Sequence, residues 1–150
     1  MNSQQVEILL VEDSPTDAEL TIRALKKRNL ANHLVHVTDG QAALDFLFHT
    51  GPYRDSPKDE QPKVVLLDLK LPKFNGIEVL RQLRANERTK LLPVVIMTSS
   101  REDRDVIESY KLGANSYVVK PVDFESFAEA VCNLGLYWLI LNQPPCSPHD

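Results

Sequence analysis

The chain has 150 residues, of which 43% are hydrophobic and 25% are charged, as expected for one soluble globular domain. A net charge of −4 argues against general nucleic-acid binding, which needs a basic surface. No apolar run approaches the roughly 20 residues of a membrane span, the N-terminus lacks a signal-peptide pattern, and the two cysteines make no disulfide framework. We therefore expect a cytoplasmic protein that binds neither nucleic acid nor membrane.

The first part of the chain alternates short apolar runs with helical patterns. Residues 8–11 are an apolar run that ends in two acids. Ser14 and Pro15 are typical of a helix start, and Asp17 is placed to close a capping box. A weaker strand is predicted over residues 34–37, and a turn and a second helix follow it.

Residues 50–62 interrupt this alternation with three prolines among charged residues. A loop of about a dozen residues is long for a compact domain. One interpretation is a linker between two domains, but only about 60 residues precede it, which is few for a separate core. We favour an insertion within one domain.

The central part of the chain predicts two buried strands. Four consecutive apolar residues, 64–67, are typical of a strand buried on both faces, and this run ends at Asp68. Asn75 then starts a third helix. Another apolar run, residues 94–97, ends in three hydroxyl residues, the first of which is Thr98.

The last part of the chain predicts a helix, a strand and a longer helix. Ser100 and Asp103 are predicted to cap the fourth helix, which would end at Gly113. The last strand, residues 116–119, is followed by Lys120 and a proline. Apolar residues at helical spacing then predict a long final helix.

Five strands alternating with five helices predict an α/β fold with a doubly wound parallel sheet. The flavodoxin-like (βα)5 arrangement, with strand order 2-1-3-4-5 and an extended last helix, is the natural candidate, although periodicity alone does not give the order. We assign one domain to residues 1–141, with the insertion loop at 50–62. The proline-rich residues 142–150 are predicted to be a disordered tail.

Polar side chains follow four of the five predicted strands. The carboxyl ends of parallel strands share one edge, so Glu12, Asp13, Asp68, Thr98 and Lys120 should meet there. Three carboxylates close together repel and need a cation, and Mg²⁺ prefers hard oxygen ligands and keeps positions open for water and phosphate. Taken singly, each residue has an ordinary role as a cap, a turn residue or a solvated charge. Their joint position predicts a magnesium-dependent site for phosphoryl groups.

The set of motifs resembles the receiver domain of two-component response regulators over nearly the whole chain. The matching segments are Leu10-Val11-Glu12-Asp13, Leu67-Asp68-Leu69-Lys70-Leu71-Pro72 with Asn75-Gly76, Met97-Thr98-Ser99, and Lys120-Pro121. By this resemblance, Asp68 would accept a phosphoryl group from a phosphohistidine on a sensor histidine kinase. Asp13, Asp68 and the backbone carbonyl of Lys70 would bind Mg²⁺, and Glu12 would assist through water.

The resemblance also implies how the site would report phosphorylation. Thr98 and Lys120 would contact the phosphoryl group, and the Lys120–Pro121 peptide would be cis. Tyr117 would be an aromatic switch that turns inward when Thr98 moves toward the phosphoryl group. No enzyme activity is implied beyond self-phosphorylation and slow self-dephosphorylation.

The last helix ends in an apolar segment, residues 134–141, and a surface helix needs only one apolar stripe. We predict a homodimer through this region, with Leu136, Tyr137 and Ile140 as candidate contacts; alternatively, the segment folds back on its own domain. The insertion, the lack of an output domain after the last helix and this apolar end resemble small stand-alone regulators paired with bacterial phytochromes. A light-sensing histidine kinase would then be the phosphodonor.

Three other functions fit parts of the sequence. A phosphatase of the haloacid dehalogenase type also uses a strand-end Asp and Mg²⁺, but it needs a second acid where this chain has Lys70. A flavin carrier would need a phosphate loop after the first strand, where Glu12 and Asp13 would repel phosphate. An adaptor that works without phosphorylation would not need the full set of acids, threonine and lysine.

Overall fold

Five short strands form the centre of the computed structural model, which describes residues 6–30, 32–55 and 61–143. The strands are β1 (Ile8–Val11), β2 (Leu34–Val37), β3 (Val64–Leu67), β4 (Val94–Thr98) and β5 (Ser116–Val119). All neighbouring pairs are parallel, and the order across the sheet is β2-β1-β3-β4-β5. The predicted flavodoxin-like sheet with order 2-1-3-4-5 is therefore confirmed.

Five α-helices follow the strands, as the sequence predicts. They are α1 (Pro15–Lys27), α2 (Gly40–Phe48), α3 (Gly76–Ala85), α4 (Asp103–Lys111) and α5 (Phe124–Gly135). The sheet separates two apolar cores because successive strand residues point to opposite faces. Leu9, Val11, Val65 and Leu67 pack with residues of α2 and α3, whereas Ile8, Leu10, Val64 and Leu66 pack with residues of α1 and α5.

Side-chain caps start four of these helices. Ser14, Asp39, Asn75 and Asp123 each accept a hydrogen bond from the backbone N–H three residues later. Helix α4 differs, since Glu102 is its N-cap residue and makes no side-chain cap hydrogen bond. The prediction that Ser100 and Asp103 cap this helix is wrong: the Ser100 hydroxyl donates to Asp105 Oδ2 at 2.6 Å, and Asp103 is already helical.

Helix α5 continues into a π-helical turn, Leu136–Leu141, which we call the π segment. The chain approaches α1 closely here, because a Cβ added at Gly135 would lie 2.6 Å from Leu25 Cδ2. Trp138 and Leu139 of the π segment are buried, so part of it does fold back on its own domain. Its other side chains remain exposed: Leu136, Tyr137, Ile140 and Leu141.

The run Phe124–Leu141 is the candidate membrane span in the described part of the chain. It has 18 residues and a mean hydropathy of 1.2, which is enough to cross a bilayer by length and composition. From sequence we expected no apolar stretch near the length of a membrane span, and this 18-residue run does come near it. Core helices of soluble proteins pass the same test, and here Phe127, Val131 and Trp138 pack into the core beside α1.

The segment before β3 that we interpret from sequence as an insertion contains a short 3₁₀ turn, Gly51–Tyr53. The ring of Tyr53 packs edge-on against Phe46 of α2, with ring centroids 5.1 Å apart. Residues 56–60 of the insertion lie outside the described residues, as do residues 144–150. The predicted disordered tail, residues 142–150, therefore falls almost wholly outside them and stays a prediction.

Candidate functional site

The carboxyl ends of β1, β3 and β5 bring three of the predicted side chains into contact. Val11 and Leu67 are paired in register, so Glu12 and Asp68, which follow them, lie level at one rim of the sheet. The ammonium nitrogen of Lys120 lies 2.7 Å from Glu12 Oε1 and 2.8 Å from Asp68 Oδ2. Side chains 108 and 52 positions apart in the chain thus meet at one ammonium group.

A third carboxylate contacts the same ammonium group. Asp17 Oδ2 lies 2.9 Å from Lys120 Nζ, so each of the three N–H donors of this lysine has a carboxylate partner. The capping box predicted for Asp17 is wrong, because the backbone N–H of Ser14 donates to Glu12 Oε2 at 3.1 Å instead. A signal was present in the sequence: Asp17 follows the predicted helix start at Ser14 by three residues, so it lies on the first turn of α1, at the helix end that follows the carboxyl end of β1.

Asp68 is buried and fully engaged. Its Oδ1 accepts a hydrogen bond from the Lys70 backbone N–H at 3.1 Å, and its Oδ2 accepts one from Lys120. Burial acts to raise the pKa of the Asp68 carboxyl, but the hydrogen bond and charge of Lys120, with the Thr98 hydroxyl and the Lys70 amide, lower it below its usual value. Asp68 is therefore an anion near neutral pH.

Glu12 shows the opposite shift. Burial raises the pKa of its carboxyl from 4.5 to about 7, and the negative charge of Asp68 adds to this, although Lys120 acts against both. For Lys120, burial lowers the pKa of the ammonium, but its three carboxylate partners more than reverse this and hold it above its usual value. The acids at the rim therefore outnumber the positive charge available to them.

Three of these acids fit a divalent cation. Glu12, Asp13 and Asp68 can each offer a carboxylate oxygen, and these oxygens lie within 4.8 Å of one another. Asp13 is exposed to solvent, whereas Glu12 and Asp68 are buried. Hard oxygen donors and uncompensated negative charge are what Mg²⁺ or Mn²⁺ requires. The Lys70 carbonyl stays a predicted fourth donor.

Thr98 and Tyr117 are both connected to the loop that follows β4. Thr98 is fully buried, and its Oγ1 accepts a hydrogen bond from the Ser100 backbone N–H at 3.5 Å. The Tyr117 hydroxyl donates to the Ser100 carbonyl at 3.1 Å, and the same serine holds Asp105 of α4. This loop therefore joins Thr98, Tyr117 and α4, while the switch itself stays a prediction.

The backbone around Asp68 depends on the glycine of the Asn75-Gly76 motif. A Cβ at Gly76 would clash with the Asp68 carbonyl oxygen and lie 2.6 Å from Leu69 Cα. The Gly76 N–H donates to the Leu69 carbonyl at 2.8 Å. Only glycine permits this approach, so α3 begins directly against the loop that presents Asp68.

The peptide between Lys120 and Pro121 corrects one expectation. The described residues contain no cis peptide bond, so this peptide is trans and the predicted cis form is wrong. The trans isomer is the more stable one before proline by about 0.5–1 kcal/mol. The Lys120 side chain reaches its three carboxylates from this backbone.

Residues 8–132 match the sequence family described as the response regulator receiver domain. The chain is 41% identical over 139 residues to the probable methanogenesis regulatory protein FilR2 of Methanothrix harundinacea, which covers 92% of this chain and 86% of that protein. It is 40% identical over 132 residues to the response regulator Rcp1 of Synechocystis, covering 88% of each.

Three solved structures share the whole architecture. The Mn²⁺-bound form of Rcp1 superposes with a TM-score of 0.87 at 39% identity, covering 95% of this chain and 99% of that one. The phosphorylated cyanobacterial phytochrome response regulator RcpA gives 0.87 at 32%, covering 94% and 99%. The bacteriophytochrome response regulator RtBRR gives 0.74 at 50%, covering 94% and 84%.

Receiver domains of this kind accept a phosphoryl group, interact with histidine kinases and act as signalling proteins rather than as enzymes. The phosphatase, flavin-carrier and adaptor alternatives are not favoured by these matches. Rim geometry, sheet order and sequence similarity agree, and the chain belongs to the response regulator receiver domain family.

Proposed function

We propose that Asp68 is the residue that accepts the phosphoryl group. The observation that carries this proposal is its buried, ionised carboxylate at the end of β3, 2.8 Å from the Lys120 ammonium. A carboxylate oxygen of Asp68 attacks phosphorus, and the bond from phosphorus to the donor's histidine nitrogen breaks, with the electron pair leaving on that nitrogen. The product is an acyl phosphate on Asp68.

Lys120 and Thr98 contact the phosphoryl group in this proposal. The lysine brings positive charge to a rim of acids that would otherwise repel a phosphoryl group, and its N–H donors suit phosphoryl oxygens. Thr98 lies buried at the end of the neighbouring strand, and its hydroxyl is among the groups that lower the pKa of the Asp68 carboxyl. Its hydroxyl would then donate a hydrogen bond to an oxygen of the phosphoryl group on Asp68.

Glu12, Asp13 and Asp68 would hold Mg²⁺, with the Lys70 carbonyl as a further donor. When bound, the ion offsets negative charge on the phosphoryl oxygens. The close set of carboxylate oxygens supports a divalent site, and Rcp1 has been solved in a Mn²⁺-bound form. Activity is limited to self-phosphorylation and slow self-dephosphorylation, in the cytoplasm.

The phosphodonor that we propose is a phytochrome-type histidine kinase. RcpA and RtBRR are both named phytochrome response regulators, and RtBRR is 50% identical to this chain. FilR2, at 41% identity, is named a methanogenesis regulatory protein, so other kinases must be compared directly. Phosphotransfer profiling should show fastest transfer from a phytochrome kinase; faster transfer from another class would overturn the pairing.

Output is proposed to run through Tyr117 and a homodimer. The Tyr117 hydroxyl is hydrogen-bonded to the loop after β4. Phosphorylation of Asp68 would draw Thr98, at the start of this loop, toward the phosphoryl group and so change the position of Tyr117. The exposed apolar side chains of the π segment, Leu136, Tyr137 and Ile140, would pack against a second copy. Residues 1–141 act as one receiver unit in this arrangement.

The decisive experiment measures acid-labile phosphoryl incorporation from acetyl phosphate with Mg²⁺. Asp68→Asn should abolish incorporation, because the amide is not a nucleophile of this kind. Asp55→Asn is the matched control, since Asp55 is an exposed acid beyond the C-terminal end of α2 and is not one of the rim acids, and it should incorporate as the wild type does. Full incorporation by Asp68→Asn would remove Asp68 from this role.

A further inference from the structure

The ammonium group of Lys120 has one partner that stands apart from the other two. Glu12 and Asp68 belong to the group of acids whose oxygens could share a metal ion, together with Asp13. Asp17 is not a member of that group in the described part of the chain, although its Oδ2 lies 2.9 Å from Lys120 Nζ. The contact with Lys120 is therefore the interaction through which Asp17 can affect the site.

The backbone of Asp17 is held on both sides. Its N–H donates to the Ser14 hydroxyl at 3.2 Å, and its carbonyl accepts from the Thr21 hydroxyl at 2.8 Å. Because the Ser14 N–H is bound by Glu12, the Asp17 carboxylate has no capping partner to serve. With its backbone held by these two bonds, Asp17 presents its carboxylate to the Lys120 ammonium from the first turn of α1.

A lysine near a reacting group needs such a support. Its ammonium is a point charge on a flexible four-carbon stem. Of its three partners, Glu12 and Asp68 are the ones whose oxygens are needed when an ion and a phosphoryl group arrive. Asp17 is needed by neither the ion nor the phosphoryl group, so its carboxylate can stay hydrogen-bonded to Lys120.

We propose that Asp17 is a positioning residue, which holds the Lys120 ammonium at the rim beside Asp68 while the other two carboxylates change partners. The inference rests on the proposed roles of Asp68 and Lys120. Asp17 would thus be a further residue of the phosphoryl-transfer site, and it lies on α1 rather than at the end of a strand. Asp17 acts through Lys120 and touches neither the ion nor the phosphoryl group.

The first test uses the metal-free protein and needs no phosphorylation. Hydrogen exchange of the Lys120 ammonium is followed by ¹⁵N NMR, with the signal assigned by its loss in Lys120→Met. Asp17→Asn should speed this exchange several-fold by removing one charged acceptor. Glu19→Gln is the matched control: it removes the same charge from α1, but Glu19 is exposed and, among the described residues, pairs with Arg23 rather than with Lys120. Equal exchange in the two variants would overturn the proposal.

The second test measures the initial rate of phosphorylation by acetyl phosphate with Mg²⁺. Asp17→Asn should lower the rate about tenfold, the size of one hydrogen bond between charged groups, and Glu19→Gln should not. Asp17→Glu should restore most of the rate. In a Lys120→Met background the Asp17→Asn effect should vanish; a tenfold effect that persists there would show that Asp17 does not act through Lys120.

These outcomes separate the inference from the proposed function. If Asp68→Asn still incorporates phosphate, the assignment of the acceptor fails, while the ammonium exchange still decides whether Asp17 holds Lys120. Urea unfolding of Asp17→Asn and Glu19→Gln shows whether both variants fold. Slower phosphorylation with unchanged ammonium exchange would overturn the positioning role.

Discussion

The ammonium nitrogen of Lys120 lies 2.8 Å from Oδ2 of Asp68, and this buried ion pair joins the ends of β5 and β3. A buried pair is costly to break from one side, because the remaining charge is left without a partner. Here the same pair also keeps Asp68 ionised by lowering the pKa of its carboxyl. One contact thus maintains both the shape of the rim and the ionised state of Asp68.

Magnesium binding should weaken as the pH falls. The pKa of Glu12 is raised from 4.5 to about 7, so the folded protein binds a proton there that unfolded chains bind only at lower pH. The stability that Glu12 contributes is full below its usual pKa and is lost as the pH rises through 7. An incoming Mg²⁺ ion must displace that proton. The affinity for Mg²⁺, measured by calorimetry, should therefore fall as the pH is lowered from about 8 to about 5.5.

Glu12→Gln carries no proton to displace and should flatten this pH dependence. Glu7→Gln is the control, because Glu7 precedes β1 at the opposite edge of the sheet and pairs with Lys63. It should keep the pH dependence of the wild type. The same steep dependence in Glu12→Gln would show that another group binds the proton.

The oligomeric state should depend on the exposed face of the π segment. Ile140 is 62% exposed, and Ile140→Glu would place a charge in the proposed dimer contact. Leu91 is 60% exposed and lies just before β4, so Leu91→Glu is a control of matched chemistry and exposure. Sedimentation should show dimers for the wild type and Leu91→Glu, and monomers for Ile140→Glu. A strictly monomeric wild type, with and without phosphorylation, would contradict the dimer.

The hydroxyl of Tyr117 should hold the loop after β4. Tyr117→Phe removes its hydrogen bond to the Ser100 carbonyl and should cost about 1 kcal/mol of unfolding free energy. Amide hydrogen exchange of residues 99–102 should speed up, and chemical-shift changes on phosphorylation should shrink there. Tyr110→Phe, on the exposed side of α4, should change neither. Unaltered loop exchange in Tyr117→Phe would argue against the switch.

Arg84 should be a strong determinant of stability at the edge of the sheet opposite the rim. Its guanidinium donates to the carbonyls of Thr89, Lys90 and Gly113 and to the side chain of Asn115. Arg84→Met should lower the unfolding free energy by about 3 kcal/mol, because several carbonyls lose a charged donor at once.

Urea unfolding provides the measurement, and Arg81→Met is the control. Arg81 lies on the same helix, and its partners in the described part of the chain are the surface ion pairs with Glu78 and Glu108, which contribute less than about 1 kcal/mol. Both variants should keep the phosphorylation rate of the wild type, since neither residue contacts the rim. A loss as small for Arg84→Met as for Arg81→Met would refute the role of this network.

The elements and the rim could be predicted from local patterns. Strands β1 and β3 are buried along their whole length, as four consecutive apolar residues indicate, whereas the edge strands β2 and β5 are only partly buried. The bounds predicted for these four strands are those observed. The caps at Ser14 and Asn75 depend only on residues three positions away. Asp68 and Lys120 were predictable because they follow such strands and the carboxyl ends of parallel strands share one edge.

The choice between competing partners could be made only by the tertiary structure. From sequence, Asp17 was predicted to close a capping box and Ser100 to cap α4. In the fold, the Asp17 carboxylate accepts from Lys120 instead, and the Ser100 hydroxyl donates to Asp105. Which face of the π segment is covered was decided in the same way, by where α1 lies. Local patterns report burial and backbone hydrogen bonding. They do not report that a carboxylate partner of the Lys120 ammonium lies 103 residues away on α1, and a buried ammonium left without such partners is costly.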